Sequence, residues 1–358
     1  MKKILIALGI IILLAVVVIL SLPSILNMVA GSDSELKDAS DLTLRSRVID
    51  PKANAFTILD DMEQDSPWES EAGSLVNLSD PEKMASWNQQ AATELIDANE
   101  EYYKVGSAAL ALDKYQNPST ADQSSPSFFG DEYSMASSQA RKIGNLLTLR
   151  AIHHYKEKRI DKAVDDLVST YKLGSMLTEG NPDAIELLVG LALKKKSLLT
   201  FEKLSANSGL PENQQKFYKK KVKEFEARGN RLDQAFLGEY KMAMHGVDSI
   251  QTGDMEEFGG TEEMASEWAE VKTLNTNSYF FKPNETKNLL SDKTRQYQQD
   301  AKQPCSYAVV SPPSENRLLS MVSPNSVGKL YVQVITSGLD PMFTRTCEVE
   351  KLYNKLIE

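Results

Sequence analysis

Four stretches carry side chains from which a site could be built. His153 and His154 stand together in "RAIHHYKEKRIDKAVDDLVSTYKLGSML", residues 150–177, ahead of Asp161, Asp165 and Asp166. Imidazole and carboxylate together could hold a divalent metal or relay a proton. Zinc helices, however, place histidines at i and i+4, whereas adjacent residues lie about 100° apart around a helix. His154 falls in an apolar stripe with Ala151 and Tyr155, and Asp161, Lys162, Asp165, Asp166, Ser169 and Lys172 read as the solvated side of the following helix. The spacing predicts a structural bend, and no catalytic, cofactor or metal residue is assigned there.

The second stretch is "SVGK", residues 326–329, which matches the SxxK pattern of a serine nucleophile activated by lysine. "SELK" at residues 34–37 matches it too, and the companion SDN and KTG motifs are missing. The alternative reading is an envelope hydrolase that uses Ser326 and Lys329 or a pair of carboxylates. Third, residues 251–270 hold seven acids and no base but lack the alternating ligands and turn glycine of a calcium loop; they read as a solvated segment. Fourth, Cys305 and Cys347 have no CxxC spacing and no neighbouring histidine, which argues against redox catalysis. In an oxidising compartment an even, nearby pair is a disulfide candidate, two buried thiols being the other possibility. There is no GxxxxGK[ST], GxSxG, HExxH or GxGxxG motif, and nothing calls for a cofactor.

The elements that must position these residues begin with residues 4–22, "ILIALGIIILLAVVVILSL", nineteen apolar residues behind Lys2 and Lys3. As a helix this run spans roughly 28 Å, the thickness of a bilayer core. Its length favours a retained signal-anchor over a cleaved signal peptide, whose apolar stretch is shorter. The leading lysines keep the N-terminus inside and send the body across. The expected location is a bacterial cytoplasmic membrane, crossed once, with the body in the periplasm or outside the cell. The chain has a net charge of −10, and removing the two lysines leaves −12 on the remainder, so nucleic acid is not an expected partner.

Residues 23–79 read as a polar stalk and linker, with "GSDSELKDASD" acidic and extended. A helical domain is expected over 80–303 and a segment of short helices over 304–358. Asp80 and Pro81 give a helix start, and Met84, Ala91, Leu95, Ala98, Tyr102, Val105, Ala109 and Leu112 predict one helix of about thirty residues, with Asn88 breaking the series. Residues 135–177 form a helical hairpin with a turn at 156–159. Asn181 and Pro182 open a helix that is apolar almost all round, hence central, and residues 194–196 mark where it meets water. A further helix carries Lys216, Lys219, Lys220 and Lys223 on one face. Ser323–Pro324 and Asp340–Pro341 each read as a cap followed by proline, and the aromatics of "NTNSYFFKPN" are expected to tuck into the core.

The hairpin resembles one tetratricopeptide unit, with Ala151, Tyr155, Ile160, Ala163 and Leu167 at its small, aromatic and bulky positions. Leu147, Lys158 and Ser175 stand where that repeat has tryptophan, the turn glycine and the final proline. No second copy recurs at a fixed period. The order of anchor, long helix, hairpin and "IELLVGLALKKKSLL" resembles uncharacterised membrane-anchored, exported helical proteins of planctomycete-type bacteria. That resemblance implies a fold and no activity. The expectation is an all-α protein whose extracytoplasmic helical bundle, partly tetratricopeptide-like, binds another protein of the cell envelope.

Overall fold

The computed structural model describes residues 31–44, 49–62, 87–118, 135–206, 209–252, 279–308 and 323–357. Among them the fold is all-helical: one isolated bridge joins Asn54 and Lys114 and there is no strand. The helices are α1 (Ala55–Asp60), α2 (Gln89–Ala98), α3 (Glu100–Ala111), α4 (Met135–Lys156), α5 (Ile160–Glu179), α6 (Ala184–Ala206), α7 (Glu212–Glu226), α8 (Leu232–Thr252), α9 (Pro283–Asp300), α10 (Ser326–Ser337) and α11 (Asp340–Ile357). None of these is long and apolar enough to cross a membrane. The apolar run 4–22, the helix start at Asp80 and nearly all of the acidic segment 251–270 lie outside the described residues.

The described residues form two compact units. The smaller holds 31–41, 242–252, 279–293 and 323–338; the larger holds the rest, so the division falls within α8 and α9. In the larger unit, α4, α5 and α6 make the core. The α4–α5 turn is a Schellman cap: Arg159 N–H donates to His154 C=O at 2.8 Å and Lys158 N–H to Tyr155 C=O at 3.0 Å. That cap needs a left-handed residue, and Lys158 supplies it at φ 63°. Helices α5 and α6 touch through glycine, since a Cβ on Gly174 would lie 2.6 Å from the Gly190 carbonyl oxygen. Such an approach is open only to residues without a side chain.

A capping box starts α6. Asp183 Oδ1 accepts from Glu186 N–H at 2.7 Å, and Glu186 Oε2 accepts from Asp183 N–H at 3.2 Å. The helix therefore begins at Ala184, two residues beyond the expected Asn181–Pro182 start. Cys305 and Cys347 are bonded, with Cα atoms 4.8 Å apart, fastening α11 to the turn after α9. Tyr297 and Tyr307 both donate to the Asp340 carboxylate at the start of α11, and Phe343 stacks on Tyr307 at 3.9 Å between ring centroids.

Three expectations need correction. Where the expected single helix is described, over 89–111, it is two helices, α2 and α3, broken at buried Asn99, whose amide donates to the Leu95 carbonyl. Asn88 is the N-cap of α2, accepting from Ala91 N–H at 3.1 Å. The segment 31–62 is folded wherever it is described. Ala55 and Leu59 are fully buried in a core with Ala140, Ile143 and Leu147. In the smaller unit, Asp33 caps α9 by accepting from Asn284 and Glu285 N–H at 2.8 and 3.0 Å. Finally, α10 begins after Asn325 rather than at Ser323–Pro324. Asn325 is left-handed at φ 56°, and its buried side chain accepts from Lys282 N–H at 2.9 Å. Tyr279 and Phe281, from the aromatic loop, are buried in this unit.

Candidate functional site

Both histidines of the opening motif are buried, His153 at 6% and His154 at 7% exposure. His153 Nδ1 accepts from Gln89 Nε2 at 2.9 Å, which leaves the proton on Nε2, 3.3 Å from Glu157. Burial lowers its pKa, and Glu157 opposes that shift. His154 lies 3.6 Å from Asp166 Oδ2, and Arg150 Nε lies 3.6 Å from the same oxygen. Both distances are long for a hydrogen bond. The Arg150 guanidinium also stacks over Tyr103, 3.2 Å from the ring centroid.

Burial pushes His154 down to about 4, helped by Arg159 and Arg150. Burial likewise pushes Asp166 up to about 7, against the pull of Arg150. At neutral pH His154 is therefore uncharged, so its approach to Asp166 is not an ion pair. Asp166 is no part of a solvated face; it turns inward at 5% exposure, while Asp161, Lys162 and Asp165 stay exposed. The cluster is enclosed, which suits packing better than turnover. Among the described residues, no three His, Cys, Asp or Glu side chains are placed to hold a metal.

A second charged group is buried against expectation. Lys194 has no exposed surface; its ammonium donates to Glu226 at 2.9 Å and to Asn230 at 2.7 Å. Tyr171 donates to the same Glu226 oxygen at 2.6 Å. Burial lowers the Lys194 pKa despite Glu226. At Glu226, burial pushes upward, but Lys194 and the hydrogen bonds from Tyr171, Lys194 and Asn230 together bring the pKa below its usual value. The two shifts differ in sign in what each says of the attraction. The ion-paired state follows from the short distances and from the three donors that converge on Glu226. Of the three lysines 194–196 expected to meet water, Lys194 is thus buried, while Lys195 and Lys196 are half-buried.

Ser326 and Lys329 form no hydrogen bond with each other. Lys329 is exposed and donates to the Pro324 carbonyl at 2.9 Å. Ser34 and Lys37, the other match, are engaged with Asn288 and Asp292. Neither serine has its lysine placed to accept a proton, as nucleophile activation requires.

One concave feature among the described residues of the larger unit is a groove of about 350 Å³ between α6, α7 and α11. Leu198, Phe201, Leu352 and Leu356 give it an apolar floor, and Glu202, Lys219 and Lys355 supply its charges. Phe201 is held flat by Tyr218, with ring centroids 3.9 Å apart. Tyr218 in turn donates to Ser197 at 2.7 Å, because the Ser197 hydroxyl gives its own proton to the Leu167 carbonyl. Ser205, which also lines the groove, has a buried Oγ without a hydrogen-bond partner. Beside the groove α7 presents Lys216, Lys220 and Lys223 to solvent. The lysine stripe is legible in the sequence, whereas the groove is not, its walls coming from residues 198–219 and 352–356. No family model, curated protein or solved structure matches the chain.

Proposed function

We propose that this chain is a binding module of the cell envelope, anchored in a membrane by residues 4–22 with its helical body outside the cytoplasm. The observation that carries the binding role is the groove between α6, α7 and α11. Its hydrophobic floor is edged by five polar side chains, Glu202, Ser205, Gln215, Lys219 and Lys355, and apolar surface with polar groups beside it is what a recognition site needs. The α7 lysines lie beside it in a chain whose net charge is −10. That local reversal of charge fits an acidic amphipathic segment of another envelope protein, laid into the groove as a helix. The Cys305–Cys347 bond is consistent with an oxidising compartment, and the tetratricopeptide-like hairpin with a protein-binding role.

The test is a photoreactive residue in place of Leu352 in the full chain, activated in intact cells. The expected product is one protein adduct mapping to an acidic, periodically apolar segment and lost on Lys219→Glu. Adducts with lipid alone, or yields unchanged by Lys219→Glu, would contradict the reading. Ser326→Ala and Lys329→Ala should leave complementation of a deletion strain intact; a hydrolase using that pair would lose it.

A further inference from the structure

Helix α10, "SVGKLYVQVITS", is apolar beyond what its own packing uses. Its inward side is fixed by three contacts. Gly328 is buried against Thr286 and Asn325, Tyr331 donates to the Ala243 carbonyl at 2.9 Å, and Val327 N–H donates to the Phe280 carbonyl at 3.0 Å. The exposed side of the helix carries Lys329, Leu330, Gln333, Val334 and Ser337; on it Leu330 and Val334, one turn apart, are 56% and 61% exposed. They are the two most exposed large hydrophobic side chains among the described residues. Of the seven such side chains, four (Leu36, Leu289, Leu330 and Val334) belong to the smaller unit. The helix contains no acid, and its one charge is exposed Lys329.

The same unit is the one into which the chain runs after the apolar segment. Only residues 23–30 separate Leu22 from Gly31, a stretch of at most about 30 Å when fully extended. Beyond it there is no slack. Asp33 caps α9, Lys37 N–H donates to Asn288 at 2.8 Å, and Lys37 pairs with Asp292 at 2.7 Å. Lys282 then links the arriving chain to α10: its ammonium donates to the Ser32 carbonyl at 3.3 Å and its backbone N–H to Asn325 at 2.9 Å. The start of α10 thus lies within one lysine's length of the point where the chain enters the unit.

We propose that α10 lies in the interfacial layer of the membrane that residues 4–22 enter, with Leu330 and Val334 at the boundary between headgroups and acyl chains; this rests on the anchor reading above. A short amphipathic helix with aliphatic residues outward, a lysine at its edge and no acid is suited to that layer, and Lys329 can reach the headgroups. The tether and the Lys282 link keep it there, so the helix needs little membrane affinity of its own.

The test uses the full chain with Val334→Cys as the sole free thiol, Cys305 and Cys347 being bonded. An environment-sensitive fluorophore is attached, and the protein is reconstituted into phosphatidylcholine–phosphatidylglycerol vesicles. The expected result is retention through an alkaline wash, quenching by a spin label high in the acyl chain, and iodide quenching at least threefold weaker than for Gln333→Cys. A chain that survives the wash but whose Val334 label is as open to iodide as Gln333 overturns the proposal and leaves the anchor standing. Release by the wash overturns the anchor reading and the proposal with it. Shielding of the label that persists without lipid, together with self-crosslinking, would assign the face to a second copy instead.

Discussion

Replacing Lys194 by Met isolates the cost of a buried charge that loses its partner. Methionine keeps the unbranched stem that fills the α6 side of the core, so the change acts on the ammonium alone. Breaking a buried ion pair by removing one member typically costs 3–5 kcal/mol. Here Glu226 retains the Tyr171 hydroxyl at 2.6 Å and the Asn230 amide at 3.2 Å, and its side chain is 15% exposed. Those two donors place the expected loss near the bottom of that range, at about 3 kcal/mol. Adding Glu226→Gln removes the stranded charge, and the double variant should recover about 2 kcal/mol of that loss. The assay is urea unfolding of the detergent-solubilised full chain with its disulfide intact, followed by circular dichroism. The Glu226 pKa is lowered in the folded state, so its stabilisation is present above the usual carboxylate range and fades as pH falls through the folded value. The Lys194→Met variant should lose most of that acid sensitivity. Additive losses in the double variant, or a Lys194→Met loss below about 1 kcal/mol, would refute the reasoning.

Asp166, at about 7 when folded, binds its proton more tightly than the unfolded chain does, so its contribution is complete below about pH 4 and lost as pH rises to about 7; Asp166→Asn should remove that fall, roughly 4 kcal/mol, in unfolding curves taken at pH 4 and pH 8. His154, lowered to about 4, acts in the opposite sense, its contribution being present above about pH 6.5 and lost as pH falls to about 4, so the Asn variant should gain stability steadily over that window. Gly174→Ala would press a Cβ to 2.6 Å from the Gly190 carbonyl oxygen and should destabilise by about 2 kcal/mol, even after the roughly 1 kcal/mol gained in helix propensity. Lys158→Gly should stabilise by about 0.5–1 kcal/mol, because relief of the left-handed strain exceeds the entropy added to the unfolded chain; a lower melting temperature would count against the Schellman assignment.

The hairpin was legible because its apolar residues recur at helical spacing over two full helices, and that pattern survives whatever packs on it. Its turn closes on Lys158, which takes the left-handed position. Asn88 looks like an interruption because capping and breaking are alike in a hydrophobic stripe; only the bond to Ala91 separates them. Lys194 and Asp166 were misplaced for a common reason. Charge normally reports solvent, and the partners that permit burial, Glu226 and Arg150, lie 32 and 16 residues away along the chain. The supposed stalk fails in the same way: Asp33 caps a helix 251 residues further on, which local composition cannot announce. The groove was invisible because neither of its walls is unusual alone.

The proposed anchoring of the body outside the cytoplasm by residues 4–22 is open to one direct measurement. Alkaline phosphatase fused to the C-terminus is active only where its own disulfides form, and a cytoplasm-limited fluorescent protein fused at the same site gives the reciprocal signal. Residues 4–22 as a retained anchor predict high phosphatase activity in the alkali-resistant membrane fraction and no fluorescence. Bright fluorescence with an inactive phosphatase would place the body in the cytoplasm and contradict the anchor.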